Sequence, residues 1–170
     1  MPGSSPCEQM LRDNEWEWRH APWNGTNEDW NYVTNTTKIQ NYWEERVKES
    51  VGYDGMYTLG MRGVHDWGIS GYPSTEDKVR GLTDIISFQR NLLSKYFDDV
   101  TKVPQLFIPY KEVLDAYNAG LKVPEDVTLC WVDDNHGYIR QLPKPAEQAR
   151  SGGNGVYYHV SYWGTPEDYL

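Results

Sequence analysis

The chain reads as an α/β protein built on parallel strands. Helical and strand-like segments alternate along most of its 170 residues, and alternation of this kind means parallel strands joined by crossovers. Four short apolar runs each break off into polar and aromatic residues, at 56–66, 105–112, 127–137 and 156–164. The apolar half of each run suits a buried sheet. The polar half suits the face of a parallel sheet or barrel where the carboxyl ends of the strands open and ligands bind.

Each element has a local reason. Residues 1–33 are polar, rich in tryptophan and poorly periodic, and read as a long loop with a helical turn near 8–12. Trp16, Trp18, Trp23 and Trp30 either pack that loop on itself or arch it over a cleft, since long ordered loops are often functional. A helix is predicted over 35–50: Asn35, Thr36 and Thr37 offer N-caps, and Ile39, Trp43 and Val47 recur every fourth residue. Gly52 and Gly55 end it, and strand 56–61 follows. A second helix is expected from Ser74 or Thr75 to Phe97, with Val79, Leu82, Ile85, Ile86, Leu92, Leu93 and Tyr96 on its apolar face. Pro104 blocks further helix and opens strand 105–108. A short helix over 111–118 stops at Gly120. Residues 123–126 turn into strand 127–132. A short helix near 146–150 and a flexible glycine-rich turn at 151–155 lead into the last strand, 156–160.

Composition narrows the partners. Sixteen Lys and Arg stand against 25 Asp and Glu, a net charge of −9. Nucleic acid and anionic membranes are polyanions, so neither is expected as a general partner. Eight Trp and 13 Tyr exceed what a core of this size requires, and sugar rings pack their C–H faces on aromatic planes. Cys7 and Cys130 have no metal or CxxC spacing, the histidines no ligand spacing, and the glycines at 152–155 precede a strand where a phosphate loop would follow one. No run is apolar enough to span a bilayer, and the first residues lack the pattern of a signal peptide.

The strand ends carry the candidate chemistry. Asp66, in Arg62-Gly63-Val64-His65-Asp66, follows a strand flanked by Gly60 and Gly63; it is either a reacting carboxylate or a turn cap. His65 suits a sugar hydroxyl. Asp133, Asp134 and Asn135 end another strand. Strand neighbours point to opposite faces, so only one of the two Asp faces the site centre if strand geometry persists. Asp134 is preferred there, with Asp133 assisting or bonding backbone; an Asx-turn running into Gly137 is the equal alternative. Glu112 either joins the site or starts the helix after its strand, where a carboxylate favours the dipole. Arg62, Lys111 and Arg140 lie past three strand ends and suit an anionic group, Arg62 as a bidentate partner, with surface salt bridges as the alternative. Trp67, Tyr110, Trp131, Tyr158, His159, Tyr162 and Trp163 complete the candidate ligand surface, with one of Tyr157 and Tyr158 expected in the core.

The blocks CEQMLRDN, NYVTNTTKIQNYWEERVKE, YTLGMRGVHD, VPQLFIPYKEVLDAYNAGLKVPEDVTLCWVDDNHGYIRQLP and GVYYHVSYWGTPEDYL resemble glycoside hydrolase family 115, the xylan α-glucuronidases. The resemblance runs from Cys7 to Leu170. It implies a partial (β/α)8 TIM barrel spanning residues 1–170, roughly strands three to seven, with no counterpart here of the family's flanking domains. It implies an inverting hydrolysis of α-1,2-linked glucuronic acid, or its 4-O-methyl ether, from glucuronoxylan, with two carboxylates ~6.5–9.5 Å apart and no cofactor. Asp66 and Asp134 are the first pair, then Asp133 and Glu8; Pro6 stands where the family usually has histidine, which ranks Glu8 last. The full enzyme is expected to be secreted, and the resemblance allows a homodimer. A barrel that lacks strands exposes edges, so this chain alone is expected to fold poorly and to release no sugar. The rival expectation is a non-catalytic remnant that binds carbohydrate weakly.

Overall fold

The computed structural model describes residues 29–63, 67–134 and 136–160. Its elements are α1 (Tyr32–Ser50), β1 (Tyr57–Leu59), α2 (Thr75–Leu93), a 3₁₀ turn (Val100–Lys102), β2 (Gln105–Phe107), α3 (Glu112–Asn118), β3 (Thr128–Val132), α4 (Pro145–Gln148) and β4 (Asn154–Tyr157). The strands form one four-stranded sheet in the order β1-β2-β3-β4. Every pairing is parallel, with Leu59 opposite Phe107, Phe107 opposite Leu129 and Val132 opposite Tyr157. This is the predicted α/β class, and the sheet is consistent with part of a barrel.

Strand alternation divides the sheet into two faces. Tyr57, Leu59, Met61, Phe107, Leu129 and Trp131 turn one way and join the helices in the main core. Ile108, Cys130 and Val132 turn the other way and form a small second cluster with Leu106, Tyr110 and Tyr157. The Cys130 thiol lies in that cluster, and burial pushes its pKa up to about 11.

The helices cover the first face by the predicted stripes. Ile39, Trp43 and Val47 of α1 are buried, as are Leu82, Ile85, Ile86, Leu92 and Leu93 of α2. Each such side chain contributes ~1.5–3 kcal/mol by leaving water. Tyr32 stacks on Trp43 with ring centroids 5.6 Å apart, and Trp30 meets Tyr42 edge-on at 5.8 Å. Ser74 caps α2 reciprocally: the Asp77 N–H donates to Ser74 Oγ at 3.0 Å, and the Ser74 N–H donates to Asp77 Oδ2 at 3.3 Å.

Several boundaries differ from the expectation. α1 starts at Tyr32, capped by Asn31, and Asn35 breaks its helical geometry (φ −127°, ψ 32°). So Asn35 does mark the start of the long regular stretch, one short turn in from the first cap. α2 ends at Leu93 and not at Phe97; residues 94–97 continue as turns whose N–H groups bond back to Arg90, Leu92 and Leu93. The last strand lies earlier than expected, over Asn154–Tyr157, so Tyr158 and His159 fall beyond its end. The glycine turn before it is packed. The Gly152 N–H donates to Glu125 O at 2.8 Å, and Thr128 Oγ1 donates to Gly152 O at 2.7 Å.

The amino ends of the strands are tied by polar groups that face away from the candidate site. Gln105 is buried and donates to Val100 O and Val103 O, while Arg90 donates to its Oε1 and to Asp126. Arg150 reaches the carbonyls of Val123, Pro124 and Val127. Among the described residues β1 and β4 are the outer strands, and Val156 and Val160 of the β4 region are 58% and 82% exposed. No helix among them is long and apolar enough to cross a membrane.

A Cβ on Gly152 would lie 2.4 Å from the Val127 carbonyl carbon and 2.5 Å from that of Asp126. Backbone cannot yield as a side chain can, so Gly152→Ala should destabilise the fold by ~1–3 kcal/mol through overpacking. Thermal unfolding of parent and variant measures this, and equal Tm values would show that the turn is loose.

Candidate functional site

The site begins where β1 ends. Gly60 turns the chain with φ 98°, a backbone region that costs glycine little. The buried Gln89 of α2 satisfies that turn on both sides: the Gly60 N–H donates to its Oε1 at 2.8 Å, and its Nε2 donates to Gly60 O at 3.0 Å. Two residues on, Arg62 is buried beside the Tyr110 ring, which packs on the second cluster. Its side chain is 3% exposed.

Arg62 meets Glu112, the first residue of α3. Nε donates to Oε1 and Nη2 to Oε2, both at 3.0 Å. Glu112 Oε1 also accepts from the Ile69 N–H at 3.1 Å. The carboxylate therefore holds both the residue that enters the 63–68 loop and the residue that leaves it. Gly63 closes the same loop by donating to Trp67 O at 2.9 Å. The Arg62 guanidinium carbon sits 5.5 Å from the centre of the Tyr110 ring, and Lys111 Nζ sits 5.0 Å from it. Lys111 has φ 49°, an uncommon conformation outside glycine that gathers at functional turns. Trp30 Nε1 donates to Arg62 O at 3.0 Å, bringing the segment before α1 to the site.

The end of β3 is divided. By alternation Asp134 would share the inner face with Cys130 and Val132. The strand stops at Val132, and the alternation stops with it. Asp133 is fully buried; its carboxylate accepts from the His159 N–H at 3.1 Å and pairs with His159 Nδ1. The Tyr157 ring stands edge-on to His159, 5.0 Å between centroids. Asp134 closes the loop that follows. Its Oδ1 accepts from the N–H groups of His136 (2.9 Å) and Tyr138 (3.0 Å), and its Oδ2 from Arg140 Nε (2.7 Å). These donors, the Tyr138 N–H foremost, hold the Asp134 carboxyl below the usual Asp range.

The expected residues are thus placed unevenly. Arg62 and Tyr110 come together, with Lys111 beside them, Asp133 pairs with His159, and Asp134 pairs with Arg140. The bidentate edge of Arg62 assigned in the sequence to an anionic ligand faces Glu112. Trp131 lies on the helix side, 2% exposed, edge-on to Tyr117 at 6.0 Å and donating from Nε1 to Asn154 at 2.9 Å. Most of it is therefore in the core, and it also lines the cleft described below. Trp67 and Tyr158 are 73% and 48% exposed. Glu8, His65, Asp66, Asn135, Tyr162 and Trp163 lie outside the described residues. Sequence reasoning missed the support given by Gln89, and the role of Glu112 as partner of Arg62. A cleft of about 480 Å³ opens between Lys111 on the β2–α3 turn and the Asp134–Arg140 loop. Among the described residues no group of His, Cys, Asp or Glu is arranged to hold a metal ion.

Residues 1–170 match the sequence pattern of glycosyl hydrolase family 115. A solved family 115 4-O-methyl-α-glucuronidase with specificity for decorated arabinogalactans is similar, with 55% identity and a TM-score of 0.81. The match covers 91% of this chain and 20% of that one, so the chain spans about a fifth of that relative's length. Comparison with curated proteins gave no match.

Two outcomes follow from this geometry. Glu112→Ala takes a bidentate carboxylate away from a nearly buried guanidinium, which should cost ~3–5 kcal/mol. Urea unfolding checks it; a loss below ~1 kcal/mol, the range of exposed pairs, would mean that the pair is solvent-screened. The lowered Asp134 pKa favours the folded state above the ordinary Asp value of ~3.9, and that contribution vanishes as pH falls through the lower folded value. The Tm difference between parent and Asp134→Asn should therefore be largest near neutral pH and shrink in acid. A difference independent of pH would contradict the assignment.

Proposed function

Because the chain belongs to glycosyl hydrolase family 115, we propose that it supplies strand-end residues to the active site of an enzyme that removes 4-O-methylglucuronic acid or glucuronic acid from a plant polysaccharide. The observation that carries this reading is the 55% identity to a 4-O-methyl-α-glucuronidase over 91% of the chain. We read the chain as part of a (β/α)8 barrel, roughly strands three to seven, in a single domain over residues 1–170. The full enzyme is secreted and works as a homodimer.

The mechanism is an inverting hydrolysis at an α-1,2 linkage, which needs an acid at the leaving oxygen and a base on water. Asp134 suits the base, since its donors keep it ionised. Asp66 is the acid, with His65 on a sugar hydroxyl; Glu8 is held in reserve. Asp133 orients His159. Lys111 and Arg140, both exposed at the cleft, meet the uronate carboxylate, and Asn135 a hydroxyl. Arg62, bound to Glu112, holds the loop and the Tyr110 ring. Trp67, Tyr158, Tyr162 and Trp163 offer sugar-stacking faces. Water is the only cosubstrate.

The uronic acid is common to two main chains. Glucuronoxylan is the substrate the family resemblance implies, and decorated arabinogalactan is the one of the solved relative. Residues 1–170 grafted into the corresponding segment of that relative should release 4-O-methylglucuronic acid from at least one of the two. The first product seen by proton NMR should be the β-anomer. Asp66→Asn in the graft should lower turnover by ~10²–10⁴-fold, the usual value of a general acid. A folded graft that is inactive on both polysaccharides would refute the reading, and an α-anomer first would refute inversion.

A further inference from the structure

The cleft beside the strand ends is lined by charged and uncharged groups together. Near the strands it meets Tyr110, Lys111, Asp134 and Arg140. Asp115 is one helical turn beyond Lys111, Gln141 follows Arg140, and both line the cleft. A volume of about 480 Å³ lies within the ~300–1,000 Å³ of small-ligand sites.

Gln141 carries the signal. Its amide nitrogen is buried and has no hydrogen-bond partner. A buried donor is costly until something accepts from it. Asp115, which lines the same cleft, is exposed and offers only acceptors when ionised. A ligand that satisfies both must accept from an amide and donate to a carboxylate. Sugar hydroxyls do both, whereas a phosphate or carboxylate set against Asp115 itself would be repelled by it. Leu114 and Pro109 on the same wall give a C–H face something to pack on.

We infer that the part of this cleft lined by Asp115 and Gln141 is a subsite for a neutral sugar of the polysaccharide main chain. The identity of that polysaccharide rests on the glucuronidase reading; the subsite itself rests on the cleft. Gln141 and Asp115 then select the main chain, while Lys111 and Arg140 take the charged side group.

Isothermal titration of the grafted enzyme with xylotetraose, β-galactotetraose and glucuronic acid tests this. One of the two tetraoses should bind. Gln141→Leu and Asp115→Ala should each weaken it by about 3- to 12-fold, the loss of one net hydrogen bond, and leave glucuronic acid within twofold. Asp115 is exposed, so its variant keeps the test open if Gln141→Leu unfolds. The inference is overturned if neither tetraose binds, if neither variant weakens the one that does, or if glucuronic acid is weakened equally. Glucuronic acid bound without a tetraose would remove the subsite and leave the glucuronidase reading standing. A tetraose bound at Gln141, with the grafted enzyme inactive, would keep the subsite and remove that reading.

Discussion

The bidentate contact between Arg62 and Glu112 is the constraint on which the site's order depends. It joins the end of β1 to the start of α3 across 50 residues of sequence. The same carboxylate takes the Ile69 N–H, so one side chain fixes both flanks of the 63–68 loop. A guanidinium with 3% exposure cannot rely on water, and the Glu112 carboxylate is a partner that makes its burial tolerable. Tyr110 then finds a cationic plane beside its ring, a favourable arrangement for an aromatic face. Loop, ring and helix start are held by one ion pair.

Around it the two ends of the sheet do different work. At the amino ends, Arg90 joins Gln105 to Asp126, and Gln105 and Arg150 donate to nearby carbonyls. That is stability chemistry. At the carboxyl ends the pairs involve carboxylates: Asp133, fully buried, with His159, Glu112 with the buried Arg62, and Asp134 with Arg140 at the cleft. Paired charges at a cleft are prearranged for a polar ligand, because their orientation is fixed before it arrives.

Much of this was legible in the sequence. Ile39, Trp43 and Val47 marked the buried stripe of α1, Ser74 marked the start of α2, and Pro104 marked the approach to β2. The four apolar runs became the four strands. The polar clusters after them came together at the carboxyl ends where they are described. Pairing across long separations was not legible: nothing local at Arg62 points to Glu112. Trp131 could have been recognised from period two, since it has the opposite parity to Cys130 and Val132. Asp133 and Asp134 could not be assigned that way, because alternation holds only while the strand lasts and β3 ends at Val132. The last strand was misplaced because Asn154 and Gly155 are poor strand formers. Packing against β3 and the Asn154 bonds to Trp131 and Glu147 override that preference.

The central claim is that Arg62 and Glu112 act as one unit that holds the strand-end loop. A double-mutant cycle measures this directly, with Arg62→Met, Glu112→Gln and the combined variant compared by urea unfolding. The account predicts strong coupling, with the double variant much less destabilised than the two single losses summed, by ~2 kcal/mol or more. Losses that add within ~0.5 kcal/mol would show that the two side chains act independently, and would contradict it.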